Sequence, residues 1–319
     1  MPLHRLRADP RGGAAGRRTT VRRTGGRSAG GQQPVSVCFR PERLEEAIEL
    51  LADPATGAIP IAGCTDLLVQ WHSRRERPNA VLDLLGIEAL RGIEERDGAL
   101  EIGACTSFRT IGESERVLRH APALAEIAGT IGAWQIQNRA TIGGNIANAS
   151  PAGDSLPVLL ALGAELVLAG PAGERTVAYE AFHTGYRQTA LEPGELIARV
   201  RIPLAGEHAF GAVHKVGTRC AQAISKVIVA LGCDRPGGRL TGVRIGAGSV
   251  APTPVRLRET EALLEGQIPD ADLAERAGAC AAGEVQPIDD VRSTARYRRW
   301  VLGRLVRRMV LDAAGRRVP

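Results

Sequence analysis

Apolar positions that alternate in some stretches and recur every three to four residues in others divide the chain into three successive units of strands and helices. Residues 35–39 alternate like a short strand, and Leu44, Ala47, Ile48 and Leu51 share one face of a helix predicted over 41–51. Pro41 suits the first turn of that helix, and the glutamates suit its positive N-terminal end. A strand over 58–62 runs through Gly63-Cys64-Thr65-Asp66 into a short apolar helix over 67–71, and 81–84 reads as a third strand. From Gly92 the pattern becomes one of hairpins, with strands at 92–98 and 99–103 joined at Asp97-Gly98. A helical segment over 109–128, broken near Pro122, and a helix over 156–162 precede strands at 165–169, 175–178 and 195–202, the last closed by Pro203. This middle section reads as an antiparallel unit with helices attached. The last third predicts strands at 209–216, 225–233 and 241–245, then helices at 254–264, 270–282 and 293–313. Along the final helix Tyr297, Val301, Leu305 and Met309 form one apolar stripe. Arg298, Arg299, Arg304, Arg307 and Arg308 lie largely outside it, which predicts a solvated face.

Residues 138–154 interrupt this regularity. The stretch has a glycine pair, three asparagines, small hydroxylated residues and Asp154, with no run of large apolar side chains. Lying between strongly apolar segments, it reads as a loop that cradles a ligand.

Composition narrows the ligand. The chain has 319 residues, enough for two or three packed units, and its 44% hydrophobic content supports ordinary cores. Aromatic residues make up only 3%, which disfavours single-stranded nucleic acid as a partner, since that recognition relies on aromatic stacking. The net charge of +6 is concentrated in residues 1–33, whose eight Arg and one Asp leave the remaining residues at −1. That Gly/Arg-rich tail is too poor in apolar residues to order itself and is expected to be disordered. Its Arg17-Arg18 and Arg22-Arg23 pairs are followed by no apolar segment of the length an export signal needs. No run approaches the roughly 18 apolar residues of a membrane span. The six cysteines are at least thirteen positions apart, so iron–sulfur and zinc spacings are missing, and reduced thiols in a cytoplasmic protein are expected.

The familiar nucleotide motifs are also missing. There is no Walker phosphate loop and no G-x-G-x-x-G that joins a strand to a helix. Gly26-Arg27-Ser28-Ala29-Gly30 has the nucleophile-elbow spacing but lies in the tail, where no strained strand-to-helix turn can form. Two segments remain: Ala62-Gly63-Cys64-Thr65-Asp66 and Thr141-Ile142-Gly143-Gly144-Asn145. Small residues of this kind let backbone amides approach a phosphate, although a structural turn accounts for either segment taken alone.

Taken with their surroundings, these residues resemble a known family. Ala62 through Leu67 and Asn138 through Asp154 are similar to the FAD-binding medium subunit of molybdenum hydroxylases, the group of xanthine dehydrogenase and carbon monoxide dehydrogenase flavoproteins. The similarity continues through Gly217-Thr-Arg-Cys-Ala-Gln-Ala-Ile-Ser-Lys-Val227, Ala251-Pro-Thr-Pro-Val-Arg256 and Asp289-Asp-Val-Arg-Ser-Thr-Ala-Arg-Tyr-Arg298. The resemblance implies an α+β architecture. An FAD-binding domain of the p-cresol methylhydroxylase type would occupy 34–206, with subdomains near 34–91 and 92–206, followed by a C-terminal domain of small antiparallel sheet and helices over 207–319. It implies that Ile61, Ala62, Gly63, Cys64, Thr65 and Asp66, together with Thr141, Ile142, Gly143, Gly144 and Asn145, line FAD mainly through backbone N–H groups. Asp154 and Lys226 would be further polar contacts.

Cys64 stands where the family usually has glycine and the xanthine dehydrogenase branch has asparagine. If that backbone position needs a positive φ, the cysteine costs on the order of 1 kcal/mol, and binding is expected to survive. Cys64 then reads either as an inert small residue or as an oxidisable thiol near the flavin.

The implied function is electron transfer. Substrate would be oxidised at a molybdenum cofactor on a large subunit, and electrons would pass through [2Fe-2S] clusters on a small subunit to FAD. From there they would reach NAD, oxygen or another acceptor, within a dimer of heterotrimers. The flavin carries the redox chemistry, so no catalytic acid, base or nucleophile is expected on this chain. The alternatives are a self-contained FAD oxidoreductase of the same fold and a flavin-free structural subunit.

Overall fold

The structure, a computed structural model, describes residues 18–19, 37–74, 77–207, 209–219 and 222–315. The disorder expected for 1–33 therefore falls outside the described residues, except at Arg18–Thr19, which instead pair with Phe39 and Cys38 as a short strand.

Three sheets of four or five strands follow one another along the chain. The first has the order β1-β2-β4-β3, built from β1 (Arg18–Thr19), β2 (Val37–Phe39), β3 (Ala58–Ile61) and β4 (Ala80–Asp83). β2 and β3 both run parallel to β4. Parallel neighbours need crossovers, and α1 (Leu44–Ala52) and α2 (Leu67–Arg74) provide them. α1 starts later than the apolar pattern suggests because Arg43 is extended, with φ −121° and ψ 150°.

The second sheet has the order β5-β6-β11-β7-β8 and is antiparallel throughout. β5 (Ile93–Arg96) and β6 (Ala99–Gly103) form the expected hairpin, and Asp97 and Gly98 both take positive φ, 47° and 73°. The helical segment that follows is three helices: α3 (Phe108–Glu113), α4 (Glu115–His120) and α5 (Pro122–Ala128). It breaks at Ser114, whose hydroxyl caps α4, as well as at Pro122. Next come α6 (Trp134–Arg139), α7 (Ile142–Asn148) and α8 (Ser155–Ala161), then β7 (Glu165–Gly170) and β8 (Gly173–Ala178). A small hairpin of β9 (His183–Gly185) and β10 (Gln188–Thr189), not evident in the periodicity, precedes β11 (Leu196–Pro203).

The third sheet is antiparallel, with β12 (Ala209–Val216), β13 (Val227–Asp234), β14 (Thr241–Gly248) and β15 (Val255–Arg256) in that order. α9 (Arg258–Leu264), α10 (Ala271–Gly283) and α11 (Ala295–Ala313) cover one face. The helix expected over 254–264 begins instead at Arg258, because Val255 and Arg256 pair with Ala247 and Gly246 of β14. The architecture is the expected α+β one, with an antiparallel C-terminal sheet backed by helices. Among the described residues no helix is long and apolar enough to cross a membrane.

α8 joins the second and third sheets. All seven of its residues are buried, as befits a helix that is apolar on every side. Its backbone meets the third sheet so closely that a Cβ on Gly246 would lie 2.0 Å from the carbonyl oxygen of Pro157. Only glycine fits there. Gly246→Ala should therefore lower the unfolding free energy by about 2 kcal/mol or more in urea denaturation, since overpacked backbone contacts cannot relax into space.

Candidate functional site

The two small-residue segments picked out in the sequence touch each other. Past the end of β3 the chain turns through Ala62, Gly63, Cys64, Thr65 and Asp66 before α2 begins. A Cβ on Gly63 would sit 1.9 Å from the carbonyl oxygen of Arg139 and 3.0 Å from the Cα of Ala140, the residues just ahead of Thr141. Gly63 is thus required for close approach, while the left-handed conformation falls on Cys64, at φ 60°. The expected strain is present. The Cys64 thiol lies 3.3 Å from the Ala62 carbonyl oxygen, and burial, with Asp83 nearby, pushes its pKa up from the ordinary 9.0. A thiol held protonated in this way is a poor nucleophile, which supports the inert reading.

The first turn leaves donors open. Among the described residues, the amides of Ala62, Gly63, Cys64, Thr65 and Asp66 make no hydrogen bond. Ile61 through Thr65 are half-buried and Asp66 is exposed, so these donors lie near the surface at the positive end of α2.

The second segment is more ordered than a loop. Within 138–154 the chain forms the end of α6 and the whole of α7, because the Thr141 hydroxyl caps the amide of Gly144 at 3.1 Å. The glycines, unfavourable for a helix, are admitted by packing: a Cβ on Gly143 would lie 2.6 Å from the Cβ of Ala104. The amides of Ile142, Gly143 and Asn145 are engaged by the carbonyls of Thr106, Ala104 and Thr141 at 3.1, 2.8 and 3.0 Å. The second segment therefore offers a surface, with Gly144 exposed and Asn145 half-buried, more than it offers free donors.

Side chains stitch the borders. Gln70 Nε2 on α2 donates to Asn148 Oδ1 on α7 at 3.3 Å, and Arg187 at the tip of the β9–β10 hairpin donates to the same oxygen at 3.2 Å. Ser155 Oγ donates to Asn145 Oδ1 at 2.7 Å, which ties α7 to α8.

Asp154 is buried at the N-terminus of α8, with both oxygens engaged. Lys215 Nζ lies 2.6 Å from Oδ2, and Ser225 Oγ donates to Oδ1 at 2.5 Å. Lys226, next to Ser225, places its ammonium 5.4 Å from the ring centre of Tyr297. The sequence-derived residues are therefore brought together in one chain of contacts: Gly63 on Arg139, Asn145 on Ser155, Asp154 on Ser225, and Ser225 beside Lys226. Lys215, Gln70 and Arg187 belong to this constellation but escaped the sequence reading. The one signal for Lys215 is that it and Lys226 are the only lysines in the chain.

The β9–β10 hairpin is anchored by a buried tyrosine and a half-buried histidine. Tyr179 Oη lies 3.0 Å from His183 Nε2, and His183 Nδ1 has no partner. Burial pushes the imidazole pKa down to about 4.

Comparison with known proteins gives a consistent picture. Residues 32–205 match the family described as the FAD binding domain in molybdopterin dehydrogenase, and residues 212–313 match the CO dehydrogenase flavoprotein C-terminal domain. The xanthine dehydrogenase FAD-binding subunit of Escherichia coli O157:H7 is 32% identical over 276 residues, covering 86% of this chain and 94% of its own length. The carbon monoxide dehydrogenase medium chain of Afipia carboxidovorans is 32% identical over 280 residues, 87% of this chain and 96% of its own. Among solved structures, a chain of carbon monoxide dehydrogenase from Hydrogenophaga pseudoflava superposes with a TM-score of 0.84 at 31% identity, covering 88% of this chain and 98% of that one.

Two measurements test this geometry. Gly63→Ala should lower the unfolding free energy by about 2 kcal/mol or more, whereas Cys64→Gly should leave it unchanged or raise it by up to about 1 kcal/mol. Urea denaturation of both variants distinguishes a close-approach glycine from a merely convenient one. For His183 the folded pKa lies below the unfolded one. As pH falls from about 6.5 to about 4, the unfolded chain takes up a proton that the folded chain refuses, and stability declines over that window. Thermal midpoints measured across it should fall less steeply in His183→Gln than in the wild type.

Proposed function

The chain belongs to the FAD-binding medium-subunit family of the molybdopterin dehydrogenases, the xanthine and carbon monoxide dehydrogenase type, and from that premise we propose that it holds FAD at the joined turns and relays electrons within a molybdenum hydroxylase complex. The observation that carries this reading is the set of open amides at Ala62 through Asp66, pressed by Gly63 against the start of the Thr141 segment. A dinucleotide pyrophosphate needs several N–H donors and no bulky side chain, and five amides without a hydrogen bond among the described residues, in a turn of small residues, support that reading.

The chain's own residues would then divide the work. Ile61, Ala62, Gly63, Cys64, Thr65 and Asp66 would receive the phosphates, with the N-terminal end of α2 adding its partial positive charge. Thr141, Ile142, Gly143, Gly144 and Asn145 would form the opposing wall, where the exposed face of Gly144 admits the cofactor without a side chain in the way. Asp154 and Lys226 would close the third side, Asp154 through the Ser225 and Lys215 contacts that fix its carboxylate. When bound, FAD would supply the redox chemistry, taking electrons from the [2Fe-2S] clusters of a small partner subunit and releasing them to an external acceptor. The molybdenum cofactor that oxidises substrate would reside on a large partner subunit, in a dimer of heterotrimers.

Purification of the tagged chain from the cells that make it tests the reading. Two further chains should accompany it in equal amounts, carrying molybdenum and iron, together with bound flavin. A chain that is isolated alone and oxidises substrate unaided would overturn the proposal.

A further inference from the structure

Arg298 is the one arginine counted among the buried charged residues of the described chain, at 4% exposure, although the apolar stripe of α11 predicts a solvated position for it. A buried guanidinium is costly unless its donors are used, so its partners indicate what it is for. Its Nη1 donates to the carbonyl of Lys226 at 2.9 Å and to the carbonyl of Ser249 at 2.7 Å, and its Nη2 donates to Asp290 Oδ1 at 2.7 Å. Asp290 is itself fixed by the amides of Arg292 and Ser293, at 2.9 and 3.0 Å. Burial alone would push the Asp290 carboxyl up, but those amides and the guanidinium hold it below the usual 3.8.

The two carbonyls lead to Asp154. Ser249, in the left-handed region at φ 63°, donates through Oγ to the carbonyl of Ser225 at 3.0 Å and through its amide to the carbonyl of Pro151 at 2.8 Å. Ser225 Oγ in turn donates to Asp154. One guanidinium therefore sets the backbone of Lys226 and Ser249 directly, and the Pro151 to Asp154 turn at one remove. Tyr297, the preceding residue on α11, carries the ring beneath the Lys226 ammonium.

The C-terminal unit also has other contacts that assemble it. β13 and β14 are already in register through their own ladder, from Ile228 opposite Gly248 onward. α11 packs through Val301, Leu302, Val306, Met309 and Val310, all buried. What Arg298 holds is the chain outside the ladder, just before β13 and just after β14, which is the side of the site that bears Asp154 and Lys226.

We propose that Arg298 is a positioning residue for the cofactor cleft, fixing from α11 the wall made by Ser225, Lys226 and Asp154 without itself touching the cofactor. The inference rests on the FAD reading above. It makes cofactor affinity depend on a side chain in the C-terminal unit, through backbone carbonyls and not through a direct contact.

The test is the FAD dissociation constant of the full chain, in wild type, Arg298→Met, Arg298→Lys and Ser249→Ala, measured by the fluorescence of released flavin. Thermal midpoints of the apo and FAD-saturated forms accompany it. Arg298→Met keeps the length and apolar volume of the stem and removes every donor. Its dissociation constant should rise about tenfold or more, the loss expected for hydrogen bonds from a charged donor, while its apo midpoint stays near that of the wild type. Arg298→Lys should recover part of the affinity, since one ammonium can reach a carbonyl. Ser249→Ala, which keeps Arg298 but cuts the link to Ser225, should weaken binding in the same direction by a smaller factor, and it decides the matter should Arg298→Met fail to fold. Unchanged affinity in the folded fraction of the variants, with a lowered apo midpoint, would assign Arg298 a purely structural role and overturn the proposal. A wild type that binds no FAD would instead overturn the FAD reading and this inference with it.

Discussion

The contact between Gly63 and the carbonyl of Arg139 is the constraint on which the rest of the site depends. It joins a turn from the first, parallel sheet to a helix start in the second, antiparallel unit, at a separation that excludes even a methyl group. The two backbones meet without side chains between them, and beside that junction the amides of Ala62 through Asp66 make no hydrogen bond among the described residues. The left-handed residue in that turn is the neighbouring Cys64, so two adjacent positions carry two different backbone demands. Glycine meets the steric one, and a cysteine tolerates the conformational one at a cost on the order of 1 kcal/mol.

A second set of contacts extends this junction across the molecule. α8 is buried on every side, and the C-terminal sheet closes on it through Gly246, so the residue just ahead of α8, Asp154, lies at the seam between the units. There the polar groups that an apolar interface would otherwise strand are linked to each other: Lys215 and Ser225 to Asp154, Ser249 to Ser225, and Arg298 to Ser249 and Lys226. Such networks are stabilising only when most of their members find partners, and they hold loops to a narrow range of geometry. The proposed cofactor site, drawn from three units, would need that kind of fixation, because no single unit would carry all of its walls.

Much of this was legible in the sequence, and the failures have physical causes. The Asp97-Gly98 hairpin and most of the longer strands and helices of all three units follow from local chemistry and periodicity, but the β9–β10 hairpin, α6 and α7 do not. The suspicion that Cys64 stands at a positive-φ position came from family resemblance and was met by the backbone. Residues 138–154 read as a loop because the stretch has no run of large apolar side chains, yet the Thr141 cap and the packing of Gly143 on Ala104 make a helix of Ile142–Asn148. Counting apolar stripes placed Arg298 in solvent, since periodicity cannot see the carbonyls of Lys226 and Ser249, which come from distant segments. The free donors of the first turn and the engaged donors of the second were also beyond the sequence, because both depend on which carbonyls the fold brings near.

The central claim is that the joined turns hold a flavin, and the most direct measurement is the amount of FAD released on denaturing the purified wild-type chain, set beside that released by Gly63→Ala at equal protein concentration. The account predicts close to one FAD per wild-type chain and a large loss of flavin from the folded variant, whose added methyl group forces the two turns apart. A wild-type chain that is folded and colourless, or a folded Gly63→Ala variant that retains its full complement of FAD, would contradict it.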